Sequence, residues 1–435
     1  MDSKQNCASD TTSNGTSADG ATDGGTKDDT LGVTKGRINR DGKPKKLPQM
    51  FFVQGTYYEC GYQRGEFCKA VIQEHFDASE ESIQRYQAFY ETPDGKEFVD
   101  GFISNCTKRF PHLMDEFKGI YDGAKVDIMK GYFLCLISSQ LDDALGNLES
   151  AVLAEYGCVT KGCTDIYVNN DNDVIIGHNE DWALDVNNPI LLHSKIEPYT
   201  MPDGQVIPEQ RIMAVYGHPM NFGSSCWFNG HGLGVTDDVL LFPKNKLYKE
   251  RKTPCVMIGR LLQQSQTPEE LTQLCVDEGS GVAWSWSVTL NFGVFGSSTM
   301  YNLEMGPSDG PRSNISLKKI VPQGSEGNIT GAYSHFNHTK HLADTSTQVQ
   351  LVHTRQAIYD SKPTPETLKD ALAILGDTEG DQYAIYMPPE KKGHWATHWT
   401  TVLNFKQKCL YVYIGNPKDK EPDIVLPYAM LQSTM

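Results

Sequence analysis

The sequence predicts an α+β layered fold, and three observations predict it. Between Met50 and residue 150 apolar residues recur at helical spacing. After Cys163 the period falls to two. Three helix patterns and a closing pair of strands are set into that strand-rich half.

The elements follow in order. Residues 1–46 are rich in Gly, Ser, Thr, Asp and Lys and nearly empty of large apolar groups. Such a segment cannot bury enough surface to offset its ordering entropy, so it reads as a disordered, solvated tail, with a regulatory or interaction role as the alternative. "MFFVQGTYYECGYQRGEFCKAVIQEHF" reads as strand, glycine-punctuated turn and helix. Residues 81–91, 97–118 and 127–145 carry helical patterns, the last with Ile128, Tyr132, Leu136 and Ser139 on one stripe. CTDIYVNN, DVIIGHNE, PILLHSKIE, RIMAVYG, CWFNGHGLGVT, WSVTLNF and STMYNLEM read as strands. One helix begins at Thr253 with Pro254 in its first turn. A second has Thr267 as N-cap, Pro268 at N1 and Glu270 closing a capping box. A third repeats that grammar from Thr364 and stops at Gly376, and TTVLNF and CLYVYIG close the chain as strands. Trp284 and Trp286 read as strand core.

Composition excludes several classes. A formal net charge of −16 argues against nucleic acid and anionic membrane surfaces as partners. Neither a signal-like apolar core nor an eighteen-residue apolar run occurs, which leads to the expectation of a cytoplasmic protein. The eleven cysteines form no CxxC pair, so neither a zinc site nor a disulfide framework is suggested. Sequons at Asn105, Asn314 and Asn328 read as chance matches without a secretory signal.

The chemistry concentrates at Gly162-Cys163. The run 163–169, the polar cluster 169–173 and the run 174–178 have the signature of a hairpin. A turn centred on 171 or 172 makes paired positions sum to 342 or 343. Cys163 then faces Asn179 or Glu180, with Asp181 close by, and "GHNEDW" arrives beside the thiol through local structure alone. The thiol lacks a papain-type signature. The other route to an active nucleophile is cleavage before Cys163, which frees an α-amine of pKa ~7.7–8.0 as general base. Glycine suits the preceding position because it leaves its carbonyl open to the thiol. On local residues alone, a small buried cysteine opening a strand stands equally beside this reading.

Three motifs carry a family resemblance. "QGTYYECGYQRGEFCKAVI" supplies Gly55, Gly61 and Gly65; Gly162-Cys163 is followed by "GHNED" with Asp181 eighteen residues after the cysteine; and "YSHFNH" supplies Asn337. Together with WFNGHGLGV, YNLEMGPS and the closing strands, over roughly residues 50–416, the pattern resembles the acyl-CoA:6-aminopenicillanate acyltransferase family of N-terminal-nucleophile hydrolases, including β-alanyl-dopamine hydrolase-like N-acyl-amine hydrolases. The resemblance implies an αββα sandwich and autoproteolysis between Gly162 and Cys163. It implies a mostly helical smaller subunit, 47–162 with the tail, that stays bound to a catalytic subunit, 163–435. It implies Cys163 as nucleophile with its α-amine as base, Asp181 as the group positioning it and Asn337 as oxyanion donor. The family's Ser-Arg pair is replaced by Thr397-His398, and His398 reads as a surface-loop histidine.

The sequence therefore leads to a thiol amidohydrolase, a zymogen until cleaved, that acts on a small N-acyl amine or amino-acid conjugate such as a β-alanyl amine and needs no cofactor. Acyl transfer from a CoA thioester is the alternative within this chemistry. A non-catalytic binding protein on the same fold is the alternative outside it. A metal enzyme built on His178, His193, His218 and His231 matches no ligand spacing.

Overall fold

In the N-terminal half, a strand hands over to helices. The computed structural model describes residues 47–145, 162–183, 188–242, 253–283, 286–308, 310–322, 327–343, 350–380, 383–389 and 395–432. The expected tail, 1–46, and Trp284 lie outside these residues. Strand β1 (Gln49–Gly55) leads through Thr56 into α1 (Tyr57–Phe67). There the Glu59 N–H donates to Thr56 Oγ1 (3.2 Å) and the Thr56 N–H to Glu59 Oε2 (2.8 Å), a reciprocal capping box. Helices α2 (Lys69–Ala78), α3 (Glu80–Tyr90), α4 (Pro93–Arg109) and α5 (Pro111–Ala124) follow. The single helix expected over 97–118 is thus two. Pro111 has no N–H to donate and drives Phe110 out of the helical region, to φ −132° and ψ 52°. The helix expected over 127–145 is α6 (Ile128–Gly131), a π-helical turn (Tyr132–Leu136) and α7 (Ser138–Ala144). The wider turn shifts the stripe, so Phe133, Leu136, Ile137 and Leu141 are the buried set.

The second half is mostly strand. It contains β2 (Thr164–Asn169), β3 (Val174–Ala183), β4 (Ile190–Ile196), β5 (Tyr199–Thr200), β6 (Val206–Ile207), β7 (Gln210–Tyr216), β8 (Cys226–Asn229) and β9 (Leu233–Leu241). CWFNGHGLGVT, read as one strand, is the β8–β9 hairpin, turned at Gly232 with φ +88°. Helices α8 (Cys255–Leu262) and α9 (Pro268–Val276) follow. Pro254 caps α8, while Thr253 bridges to Val282 instead of starting the helix. Then come β10 (Trp286–Val294), β11 (Met300–Gly306), β12 (Asn314–Val321), β13 (Ile329–Thr330), β14 (Tyr333–His335), α10 (Gln350–Asp360), α11 (Leu368–Leu375), β15 (Trp395–Asn404), β16 (Cys409–Ile414), β17 (Ile424–Pro427) and α12 (Ala429–Gln432). The α11 cap is Thr367, boxed with Asp370, three residues beyond the expected Thr364. The sequence reading missed β12 and α10 altogether.

Among the described residues one sheet runs β1-β4-β7-β8-β9-β10-β11-β12-β13 and a second runs β14-β2-β3-β15-β16-β17. Leu191, Met213, Val215 and Phe228 of the first meet Tyr167, Ile176, Leu403 and Val412 of the second in an apolar core. The other face of the first sheet buries Ile190, Leu192, Ala214 and Trp227 against Leu113, Phe117 and Ile120 of α5. The outer face of the second buries Ile166, Val168, Ile175 and Val402 against Ala371, Leu372 and Leu375 of α11. The layers are helix, sheet, sheet, helix, so the αββα expectation is met.

The glycines of the opening motif serve this packing. A Cβ on Gly61 would lie 2.1 Å from the Glu116 carbonyl oxygen, and one on Gly65 2.0 Å from that of Ile120. Gly119 and Gly123 of α5 stand equally close to the Tyr58 and Tyr62 carbonyls of α1. The two helices touch backbone to backbone, which only glycine permits.

Candidate active site

The hairpin that opens the second half builds the site. Asn170 Oδ1 accepts from the N–H groups of Asn172 (2.8 Å) and Asp173 (2.9 Å), an Asx turn that sets the register. Thr164 pairs with Asn179 and Asp165 with His178, so pairs sum to 343 and one further step brings Cys163 opposite Glu180. Cys163 is 7% exposed. Its Sγ, an imidazole nitrogen of His178 and a carboxylate oxygen of Glu180 all lie within 4.8 Å of one another.

A guanidinium that sequence reasoning missed organises the other side. Arg355, fully buried on α10, donates from Nη1 to the carbonyls of Gly162 (2.8 Å) and Cys163 (3.2 Å) and to Thr164 Oγ1 (3.1 Å). Its Nη2 pairs with Asp181 Oδ2 and its Nε donates to the Ala384 carbonyl (3.0 Å). Asp181 Oδ1 accepts from Thr397 Oγ1 (2.6 Å). Burial lifts the Asp181 carboxyl to about 6, against the pull of Arg355 and Thr397. Gly162, Cys163 and Asp181 are thus joined through one side chain.

Asn337 approaches from the neighbouring strand. Strand β14 pairs Tyr333 with Tyr167 and His335 with Asp165, and it ends two residues before Asn337. The backbone leaves the strand at Asn337, with φ +62°, a left-handed conformation that asparagine tolerates. Its Nδ2 donates to the Val239 carbonyl (3.0 Å), and its Oδ1 is buried without a partner among the described residues. An amide nitrogen carries two hydrogens, and the Val239 carbonyl takes one of them.

His398 corrects an expectation. It occupies a β-bulge in β15, buried, with Nε2 3.0 Å from the Trp182 carbonyl oxygen, and is no surface-loop residue.

Behind the thiol runs a buried polar array. His178 Nδ1 lies 2.9 Å from Asp165 Oδ2 and its Nε2 3.2 Å from Glu180 Oε2. Asp165 also accepts from Thr236 Oγ1 (2.5 Å). His335 joins Asp238 (3.0 Å) to Glu304 (3.3 Å). Burial opposes the His178 imidazolium, but the charge and hydrogen bond of Asp165, with the bonds to Cys163 and Glu180, hold its pKa well above the usual value. Burial and the charge of Glu180 push the Cys163 thiol up, only partly opposed by His178. Burial and the charge of Asp165 raise Asp238, while at Asp165 burial is opposed by His178 and by the hydrogen bonds of Asp238 and Thr236, which together lower its pKa.

Two groups among the described residues have the donors to hold a metal: Cys163, His178 and Glu180, and Asp165, His178 and Asp238. Neither combines two of the four histidines considered from the sequence. His193 packs on Phe52 and His218 on His75.

The fold and this thiol-centred site define a layered αββα protein, and comparison places it within one family. The family model described as acyl-coenzyme A:6-aminopenicillanic acid acyl-transferase matches residues 168–419, more than half of the chain, and the protein belongs to that family. A β-alanyl-dopamine/carcinine hydrolase of Drosophila melanogaster is 24% identical over 383 residues, 87% of this chain and 95% of the relative. Solved structures it is similar to include a mutant conjugated bile acid hydrolase from Clostridium perfringens (10% identity, TM-score 0.31, 60% of this chain and 91% of that one). A penicillin V acylase from Agrobacterium tumefaciens is another (12% identity, TM-score 0.33, 60% and 84%).

Proposed function

We propose that the protein is a self-cleaving cysteine amidohydrolase acting on small N-acyl amines, with β-alanyl amines as the leading substrates. The observation that carries this reading is the grip of Arg355 on the Gly162 carbonyl, the group the Cys163 thiol must attack. In the proposed sequence the thiol adds to that carbonyl and Arg355 stabilises the oxyanion. The C–N bond then breaks, and the nitrogen leaves as the free α-amine of Cys163. Water hydrolyses the thioester and releases a fragment ending at Gly162. The segments 1–162 and 163–435 stay associated as two subunits.

In the mature site the α-amine takes the thiol proton as Cys163 attacks the substrate amide. Asn337 donates its remaining N–H to the tetrahedral oxyanion, and Asp181 with Arg355 fixes the Cys163 backbone. The amine leaves with the proton, and water repeats the attack on the acyl-thioester. The name of the Drosophila relative supports the β-alanyl substrate. The family's description favours a second reading, in which a CoA thioester donates the acyl group to an amine. Release of free acid from a β-alanyl amine without CoA separates the two.

The deciding test is N-terminal sequencing of the purified protein's larger fragment, expected to begin Cys-Thr-Asp-Ile-Tyr. Cys163→Ala should abolish both cleavage and hydrolysis, while Cys163→Ser keeps slow cleavage. An uncut chain with full amidase activity, or turnover by Cys163→Ala, sinks the reading.

A further inference from the structure

The mechanism above leaves Glu180 without a role, although a carboxylate oxygen of it lies within 4.8 Å of the nucleophile's sulfur. Its side chain is 9% exposed, and one oxygen, Oε2, faces His178 Nε2 at 3.2 Å. The other, Oε1, has no hydrogen-bond partner among the described residues. Asp237 on β9 likewise has no side-chain partner among them. Its carboxyl is pushed up to about 8, first by burial and then by the charge of Glu180. A carboxyl raised in that way holds its proton near neutral pH, so the charge near the thiol lies on Asp165, Glu180 and Asp181, faced by Arg355 and His178. Arg355 is committed to Asp181, and His178 is shared between Asp165 and Glu180.

This matters because the thiol fixes where an acyl group lies. Once the carbonyl carbon is bonded to Sγ, the next three atoms of the acyl chain, at about 1.5 Å per bond, extend to the distance of a carboxylate within 4.8 Å of that sulfur. A methyl group arriving there strips water from Glu180 and returns nothing. An ammonium arriving there makes a charge-assisted hydrogen bond in a site with little water to compete.

We propose that Glu180 is the specificity residue for the acyl group, its free oxygen binding a cation carried two carbons from the carbonyl, as in β-alanyl. The enzyme then selects ω-aminoacyl amides over neutral acyl amides of the same shape. This inference rests on the amidohydrolase reading, and its test separates the two.

The test compares β-alanyl-p-nitroanilide with butanoyl-p-nitroanilide, which differ at the chain end by ammonium against methyl. The wild-type protein should prefer the β-alanyl substrate at least 50-fold in kcat/KM. Glu180→Gln should cut that ratio about 10- to 100-fold, chiefly through KM for the cationic substrate. Glu180→Asp keeps the charge but withdraws it by about one bond, 1.5 Å, and should move the preference toward 4-aminobutanoyl-p-nitroanilide. Equal wild-type rates on the two anilides overturn the proposal. So does an equal loss on both in Glu180→Gln, or an unshifted chain-length preference in Glu180→Asp. Hydrolysis of neither anilide by fully cleaved wild-type protein would instead remove the amidohydrolase reading itself.

Discussion

Arg355 holds five groups at once, and two of its bonds need opposite things. In the proposed self-cleavage the Gly162 carbonyl calls for a donor that strengthens as oxyanion charge develops, whereas buried Asp181 calls for a permanent counter-charge. A lysine offers a point charge and cannot span both. Arg355→Lys should therefore slow self-cleavage about 10²–10³-fold, read as persistence of the uncut chain on a denaturing gel. Arg355→Met should cost about 3–5 kcal/mol of stability, because it leaves the Asp181 carboxylate buried and unpaired. Asp181 itself sets a pH limit. Its pKa is raised from the usual 3.8 to about 6, so the carboxylate that anchors Arg355 is lost as pH falls through 6, earlier than for a free aspartate. Below the acid limb set by the α-amine, the kcat/KM profile should steepen near pH 6, and that second limb should vanish in Asp181→Asn.

Among the elements, the α1–α5 pair shows how sequence punctuation becomes packing. Gly61 and Gly65 read as turn-like breaks, yet both lie inside a helix. Their purpose is the close approach to the α5 backbone, with carbonyl oxygens 2.0–2.1 Å from where a Cβ would stand. Gly65→Ala should force the helices apart and cost about 1–3 kcal/mol, measurable by denaturant unfolding, with no direct effect on Cys163 chemistry. The hairpin β2–β3 was legible because its turn chemistry and alternation are local, and the pair sum of 343 fell within the expected range. Helix α10 was not legible. It carries weak amphipathic periodicity and no Pro-marked start, and with it went Arg355. The π-helical turn at 132–136 was equally invisible, since a period of 3.6 hides one wider turn.

For the whole molecule, the buried polar array between the sheets ties stability to pH. Glu304 accepts backbone N–H bonds from Lys340 (2.5 Å), His341 (2.9 Å) and Leu342 (2.6 Å) as well as the contact with His335. Burial works against its charge, but these donors and the charges of His335 and His341 win, and its pKa falls from the usual 4.5 to about 2. A depressed acid stabilises the fold fully above its unfolded value, so this contribution is present above pH 4.5 and lost as pH falls toward 2. It amounts to about 3 kcal/mol. Glu304→Gln should be less stable by that order at pH 7 and show a shallower loss of stability between pH 4.5 and 2. Among the described residues no helix is long and apolar enough to cross a membrane.

The sequence by itself determined the alternation of helical and strand-rich halves, the hairpin, and the meeting of Cys163 with Glu180 and Asp181. Each of these depends on periodicity and turn chemistry within about twenty residues. Only the tertiary structure decided that Arg355, 193 residues from Gly162, closes on its carbonyl, and that β14, two residues ahead of Asn337, pairs with β2. It also decided that the His178 imidazole holds a proton more tightly than a free one. Strand pairing and helix docking across such separations follow from burying complementary faces. The ionisation of a buried imidazole depends on neighbours from several strands, Asp165 and Glu180 among them.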